Sequence, residues 1–319
     1  RRSSTKKTVA RRGAIRDSAG YRLAVSVQMN SLFANPQEIK DPVEAAARLA
    51  PLLGQGKESL EKALSRKGRR FVWLRRKLDN KKAREIADLN IKGLHFRKEF
   101  KRVYPHDTLA GSLLGFVGAD NEGLEGAEYR FNSILTGDGS GGEAEAGEGC
   151  TVTLTIDRYI QHIAEEAIAD AVRHHDASQG IVVIMQVKTG RILAMARYPS
   201  FDPNNYRQYT AFDWRNFSVI DAFEPGSIMK IIALAALLEW VPGILDQFFQ
   251  CAGFIEIADA RINCTHVHGR VGITDIIRES CNVGIIQSMR RVTKARYHDL
   301  LARFGFGQRT GIDLSGENE

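Results

Sequence analysis

Glu224-Pro225-Gly226-Ser227-Ile228-Met229-Lys230 leads into the longest apolar run of the chain, Ile231 to Leu238, which stops at Glu239. Pro225-Gly226 makes a sharp entry turn, and the spacing after it predicts a helix from near Gly226 to Glu239. Residues three apart on a helix share a face, so Lys230 can reach Ser227. A serine hydroxyl is a poor nucleophile until a base takes its proton. A lysine acts as that base only where burial or nearby positive charge lowers its pKa, and the apolar run supplies the burial. A serine at a helix start also sits in a positive field that favours a developing oxyanion. The spacing alone is weak, because Ser3, Ser4 and Ser59 also carry a lysine three residues on. Ser3 and Ser4 lie in a basic tail and Ser59 in a polar segment. Ser227 alone has a context suited to chemistry, and its competing reading is an ordinary capped core helix.

The second element is Ser280-Cys281-Asn282, the only S-x-N in the chain, 53 residues after Ser227. It falls inside an apolar pattern that predicts a helix over Ile273 to Val292. Serine and asparagine are poor choices for a helix interior, and a buried polar pair there needs partners, which a cleft provides. Capping or turn chemistry is the alternative.

Working outward, the pattern changes near residue 150. Before it, residues 10–35 read as short β pieces around a turn at Asp17 and Gly20. Asp41 to Leu53 reads as a helix with Val43, Ala46, Ala47, Ala50 and Leu53 on one face. Phe71 to Leu78 suits a strand, and Asn80 to Leu89 a helix capped by Asn80. Residues 137–149 are rich in glycine and acid and read as a linker. After it, Thr151 to Ile156 alternates like a strand, and Asp157 caps a helix whose stripe is Ile160, Ile163, Ala164, Ala167, Ile168, Ala171 and Val172. Gln179 to Val187 and Arg191 to Arg197 form a hairpin across Lys188-Thr189-Gly190. The expected division is residues 1–149 and 150–319.

Glu-Pro-Gly-Ser-Ile-Met-Lys230 and Ser-Cys-Asn-Val-Gly284 resemble the first two motifs of the penicillin-binding proteins. Arg12-Gly-Ala-Ile-Arg-Asp-Ser-Ala-Gly20 resembles the start of the pedestal of the class B, monofunctional members, and Asn121-Glu-Gly-Leu-Glu-Gly-Ala-Glu128 their pedestal-to-catalytic-domain region. Lys188-Thr-Gly-Arg-Ile-Leu-Ala-Met195 and Tyr198-Pro-Ser-Phe-Asp-Pro-Asn204 are similar to the first part of their transpeptidase domain. The resemblance implies an α+β pedestal followed by an α/β transpeptidase domain, a sheet flanked by helices. It implies a peptidoglycan D,D-transpeptidase in which Ser227 is acylated, Lys230 is the base, Ser280 relays a proton and Asn282 holds the substrate amide. β-Lactams would acylate the same serine. It also implies a single-pass anchor, absent from this chain, in the inner (cytoplasmic) membrane, a periplasmic or extracellular catalytic domain, a membrane glycan polymerase as partner, and division or elongation proteins around it. The family's third motif, K-[ST]-G, belongs downstream of S-x-N. The Lys188-Thr189-Gly190 found here precedes Ser227, sits in a hairpin turn and reads as a decoy, so the transpeptidase domain is expected to be truncated. A serine β-lactamase or β-lactam sensor, and a non-catalytic scaffold for division or elongation proteins, are the rival readings.

Four cysteines are present, and Cys251, Cys264, His268 and Cys281 form the array C-x12-C-x3-H-x12-C. Thiolate and imidazole are the ligands a structural zinc prefers. A Cys251–Cys264 disulfide and free thiols are the alternatives. His266 is a spare ligand, while His174 and His175 adjoin a helix end and read as surface residues. The chain carries 45 Lys and Arg against 38 Asp and Glu, a net +7, with Arg1, Arg2, Lys6, Lys7, Arg11 and Arg12 crowded at the start. That crowd reads as a solvated chain end or a segment near an anionic membrane surface. No aromatic residues interleave with it, which argues against nucleic acid.

Overall fold

The computed structural model describes residues 11–137 and 148–317. By packing, the chain divides between Ile220 and Asp221 into two compact units.

The first unit starts with β1 (Ile15–Arg16) and β2 (Arg22–Ala34). The turn between them is closed by Asp17, whose Oδ1 accepts from the amides of Ala19 at 3.0 Å and Tyr21 at 2.8 Å, so Asp17 is where the sequence predicted a turn. α1 (Pro42–Leu53) follows, with Asp41 capping the amides of Val43 and Glu44. Its buried stripe is Ala45, Ala46, Leu49 and Leu53. Val43, assigned to that face from spacing, is exposed; the larger Leu49 turns the helix by about one residue. α2 (Lys57–Leu64), β3 (Val72–Leu78) and α3 (Asn80–Ala87) come next, then β4 (Leu94–Val103). The cap of α3 is Asp79, not Asn80, because the Asp79 carboxylate accepts from Lys82 N at 2.8 Å. β2 is the spine of this lobe. β3 and β4 both pair with it antiparallel, β4 along the whole of Val25–Ala34. The helices cover one face through Leu32, Leu49, Leu60, Leu64 and Ile86.

Arg12 is not part of a solvated chain end. It is 3% exposed, and its Nε lies 2.5 Å from Glu128 Oε2. Arg102 Nε reaches the other carboxylate oxygen of Glu128 at 2.6 Å. Arg12 Nη1 also donates to Asn132 Oδ1 at 2.7 Å, and Arg102 Nη1 to Gly13 O at 2.6 Å. Residues 12–20, which resemble the start of the pedestal, and residues 121–128, which resemble the region leading to the catalytic domain, thus meet in one buried network. Gly13 is required there, since a Cβ would fall 1.9 Å from Cys150 O.

Three short helices, α4 (Gly111–Leu114), α5 (Gly126–Arg130) and α6 (Asn132–Thr136), precede β5 (Val152–Thr153), the remnant of the strand predicted over 151–156. β5 pairs parallel with β1, Ile15 opposite Val152. α7 (Arg158–His174), capped by Asp157 as the sequence indicated, packs Ala164 against Ala194 and Ala196 of the hairpin β6 (Gly180–Met185) and β7 (Ile192–Tyr198). α8 (Ala211–Trp214) and α9 (Phe217–Ile220) close the unit. Of the linker expected at residues 137–149, residues 138–147 lie outside the described residues. Packing runs on across it because β5 returns to β1, and the compact units part 70 residues later.

The second unit holds a 3-10 turn at Gly226–Ile228, α10 (Met229–Trp240), two hairpin-like pairs and three helices. β8 (Phe248–Cys251) pairs antiparallel with β11 (Gly269–Gly272), and between them β9 (Phe254–Ile257) pairs with β10 (Ala260–Asn263). α11 (Ile273–Arg278), α12 (Asn282–Met289) and α13 (Lys294–Arg303) follow. Ala233, Ala236 and Leu237 of α10 share a core with Ile276, Val283 and Leu300. The single helix predicted over 273–292 is two helices, broken at Ser280, whose φ of +53° is left-handed and cannot continue an α-helix. Among the described residues no helix is long and apolar enough to cross a membrane.

Candidate active site

Four side chains named from the sequence come together in the second unit. Gly226, at φ +56°, delivers the chain into the 3-10 turn and leaves Ser227 exposed one turn before Lys230. Lys230 Nζ donates to Ser280 O at 2.6 Å, Ser280 Oγ at 2.8 Å and Asn282 Oδ1 at 2.7 Å. Ser280 Oγ donates in turn to Ser227 Oγ at 3.0 Å. Ser280 therefore bridges Ser227 and Lys230. The break between α11 and α12 makes this possible: its left-handed backbone turns both the carbonyl and the hydroxyl of Ser280 onto Lys230. Left-handed non-glycine residues are costly and gather at sites where geometry is over-determined.

All three partners of the Lys230 ammonium are neutral, and no carboxylate is hydrogen-bonded to it among the described residues. Burial holds its pKa below the usual lysine value, with only the Cys264 and Cys281 thiols pulling the other way. Met229, Ala233, Ile285 and Ile286 line a pocket of about 360 Å³ beside it. An ammonium with no counter-ion against an apolar wall is prepared to lose its proton.

Asn263 was not singled out from the sequence. Its carbonyl accepts from Asn282 Nδ2 at 2.8 Å and fixes which way the amide points. A backbone acceptor leaves no mark in residue type; its adjacency to Cys264 is the only signal.

Lys188-Thr189-Gly190 forms the exposed turn between β6 and β7, in the other compact unit. Its Thr189 hydroxyl donates within the turn, to Gln186 Oε1, which supplies a local structural reason for the motif. His174 and His175 end α7 and are exposed.

Cys251, Cys264, His268 and Cys281 also converge, their ligand atoms all within 4.8 Å of one another. Cys251 ends β8, Cys264 follows β10, His268 precedes β11, and Cys281 caps α12. The sulfurs of Cys251 and Cys264 are 3.7 Å apart, those of Cys264 and Cys281 3.8 Å, and His268 Nδ1 is 3.4 Å from Cys251 Sγ. Two thiolates on one tetrahedral zinc, each bonded at ~2.3 Å, lie about 3.8 Å apart, whereas a disulfide needs ~2.05 Å. Each sulfur also accepts a backbone N–H: Cys251 from Gly253, Cys264 from Val283 and Cys281 from Gly284. The thiols alone are poorly matched. Burial pushes Cys281 up to about 12; burial also opposes ionisation at Cys251, but hydrogen bonds from His268 outweigh it and bring that thiol to about 6. A dication among them would hold all three as thiolates. His266 is exposed, bonds to Thr265, and stands outside the cluster.

Comparison with known proteins meets this geometry. Residues 180–319 match the penicillin binding protein transpeptidase domain, and residues 7–140 match the penicillin-binding protein dimerisation domain. The chain belongs to the class B penicillin-binding proteins. Among its relatives, stage V sporulation protein D of Bacillus subtilis is 33% identical over 96% of this chain and 51% of its own length. Peptidoglycan D,D-transpeptidase FtsI of Escherichia coli is 29% identical over 96% of this chain and 55% of its own. Penicillin binding protein 3 of Mycobacterium tuberculosis, crystallised with ampicillin, superposes with a TM-score of 0.70 at 26% identity, covering 98% of this chain and 55% of that one. The chain spans about half the length of the curated relatives it matches. The two-domain architecture of this penicillin-binding protein, a pedestal followed by a transpeptidase domain, agrees with the sequence reading.

Proposed function

We propose that this penicillin-binding protein is a peptidoglycan D,D-transpeptidase with Ser227 as its nucleophile. The observation that carries the reading is the hydrogen-bond chain Ser227–Ser280–Lys230, anchored by Asn282. With Lys230 neutral the chain runs in reverse. Ser227 gives its proton through Ser280 to Nζ, and its oxygen attacks the carbonyl carbon of the penultimate D-Ala of a stem peptide. The C–N bond breaks, and the proton returns through Ser280 to the departing amine of the terminal D-Ala. Asn282 holds the substrate amide. The amine of a neighbouring stem then attacks the ester, forms the cross-link and restores the Ser227 hydroxyl. Ser227, Lys230, Ser280 and Asn282 suffice for these proton movements with no cofactor.

Residues 1–149 serve as the pedestal and 150–319 as transpeptidase sequence. The catalytic domain works on the outer side of a cytoplasmic membrane to which the protein is anchored, beside a membrane glycan polymerase. Cys251, Cys264, His268 and Cys281 hold one structural zinc, a reading supported by the sulfur spacings and the three amides aimed at sulfur.

The test is fluorescent penicillin labelling of a chain completed with its downstream segment, followed by peptide mapping. Label is expected on Ser227 and absent from Ser227→Ala. A label that persists in that variant assigns the nucleophile elsewhere. For the metal, elemental analysis of protein purified without chelator should find about one equivalent of zinc. A zinc content near zero together with a Cys251–Cys264 disulfide by mass would reverse that assignment.

A further inference from the structure

A cavity of about 730 Å³ opens in the first compact unit, and none of its lining residues belongs to the candidate active site. Its walls come from β3, β4, residues 117–119 and the 3-10 turn Pro203–Gln208. Arg75, Arg76, Lys77, Lys101, Arg102 and Arg207 line it, and no aspartate or glutamate does. The size is that of a small-molecule site.

The six cations are not equally engaged. Arg76 pairs with Glu99 at 2.7 Å and Asp120 at 2.8 Å, and Arg102 is held by Glu128. Lys77 is different: its Nζ donates to Ala119 O at 2.8 Å and Asn121 Oδ1 at 2.9 Å, both neutral. Arg75, Lys101 and Arg207 have no carboxylate partner among the described residues; Arg207 reaches only the neighbouring Tyr206 hydroxyl, at 3.3 Å. Burial, and next the adjacent Arg76, lower the pKa of Lys77. The backbone also holds Lys77 in place at φ +55°, with its amide bonded to Ser31 Oγ at 2.8 Å. Glu99 and Asp120 favour the charged form of Lys77 from beyond the cavity lining, but burial and the neighbouring Arg76 and Lys101 outweigh them, and an anion in the cavity would relieve that cost.

We propose that this cavity binds a phosphoryl ligand carrying at least two negative charges. Guanidinium and ammonium donors approach from two strands and a turn. A tetrahedral oxyanion offers oxygens in several directions at once, whereas a planar carboxylate accepts within one plane. Trp73 and Tyr206 add aromatic wall beside the cations, suited to whatever the phosphoryl group is attached to. The ligand is either a soluble diphosphate or a lipid headgroup, and the chemistry recognised is the same.

The test titrates the full chain with inorganic pyrophosphate by calorimetry, and separately measures co-flotation with vesicles of phosphatidylglycerol or of phosphatidylcholine. Saturable one-to-one binding of pyrophosphate is expected. It should weaken at least tenfold in Lys101→Glu and in Arg207→Glu, and change by less than twofold in Lys92→Glu, an exposed lysine outside the cavity. Thermal unfolding of each variant checks that the fold is kept. Flotation with phosphatidylglycerol that pyrophosphate competes away identifies a headgroup source; pyrophosphate binding without flotation identifies a soluble one. No saturable binding at millimolar pyrophosphate overturns the proposal. So does equal weakening by Lys92→Glu, or tighter binding of an oligoglutamate peptide than of either phosphoryl probe.

Discussion

Two polar clusters organise this molecule, and they solve opposite problems. Around Glu128, two guanidiniums and a carboxylate are buried beside the half-buried Asn132, and each charge meets its opposite within 2.6 Å. Around Lys230, one cation meets only hydroxyl, amide and carbonyl oxygens, and Ser227 beside it is exposed. Ion-paired and buried, with two guanidiniums sharing one carboxylate, the first cluster serves to fasten the pedestal. Un-neutralised and open at one end, the second keeps a lysine pKa depressed and a hydroxyl within reach of substrate. Charge compensation separates a fastening from a reactive site more cleanly than burial does.

The largest effect that could break this contrast is Lys230→Ala. It should slow penicillin acylation by ~10²–10⁴-fold, the range for a lost general base, and leave the denaturant midpoint nearly unchanged. Stopped-flow acylation and urea unfolding read both sides, and a large loss of stability would mean the lysine is a fastening too. Glu128→Ala should do the reverse. It strands two buried guanidiniums and should cost roughly 3–5 kcal/mol of stability, measured by urea unfolding. A cost under ~1 kcal/mol would show that water compensates these charges.

The pH profile sharpens the contrast further. Lys230 must be neutral to accept a proton, so acylation should rise with pH through a pKa below 10.5, the direction in which burial moves it. The sign for stability follows: the unfolded lysine binds its proton more tightly, so this residue disfavours folding below its folded pKa, and the penalty fades as pH rises towards 10.5. An acylation rate flat to pH 10 would remove Lys230 as base. The smallest effect belongs to Lys188→Ala, which should alter labelling by less than tenfold, under ~1.4 kcal/mol. A loss as large as that of Lys230→Ala would move the cleft to the β6–β7 turn.

What could be read in the sequence follows from where the information is stored. α7 was legible because its apolar stripe is long and Asp157 is a standard cap, and Ser227 and Lys230 because a turn, a helix start and an apolar run coincide. The cysteine and histidine array was legible as spacing, though the two strand pairs that close it were not. β4 went unread because Arg97, Lys98, Glu99 and Lys101 place charge on both faces and hide the period of two. The break at Ser280 was hidden for another reason: a left-handed backbone at a non-glycine residue is imposed by what surrounds it, here Lys230 and the Cys281 cap. Arg12 was misread because a buried arginine and a solvated one look the same until Glu128, 116 residues away, is brought to it.

That separation bears on the order in which the protein can be made. Gly13 N bonds to Leu135 O, Gly149 N to Arg11 O, and β1 takes its second neighbour from Val152–Thr153. The first described residues to leave the ribosome are therefore among the last to find all their partners. Until Glu128 and the segment around residues 148–153 have emerged, Arg12 waits with its charge in water while the β2–β4 lobe can already collapse behind it, so the closing of this unit is a late, long-range event of the kind that slows folding.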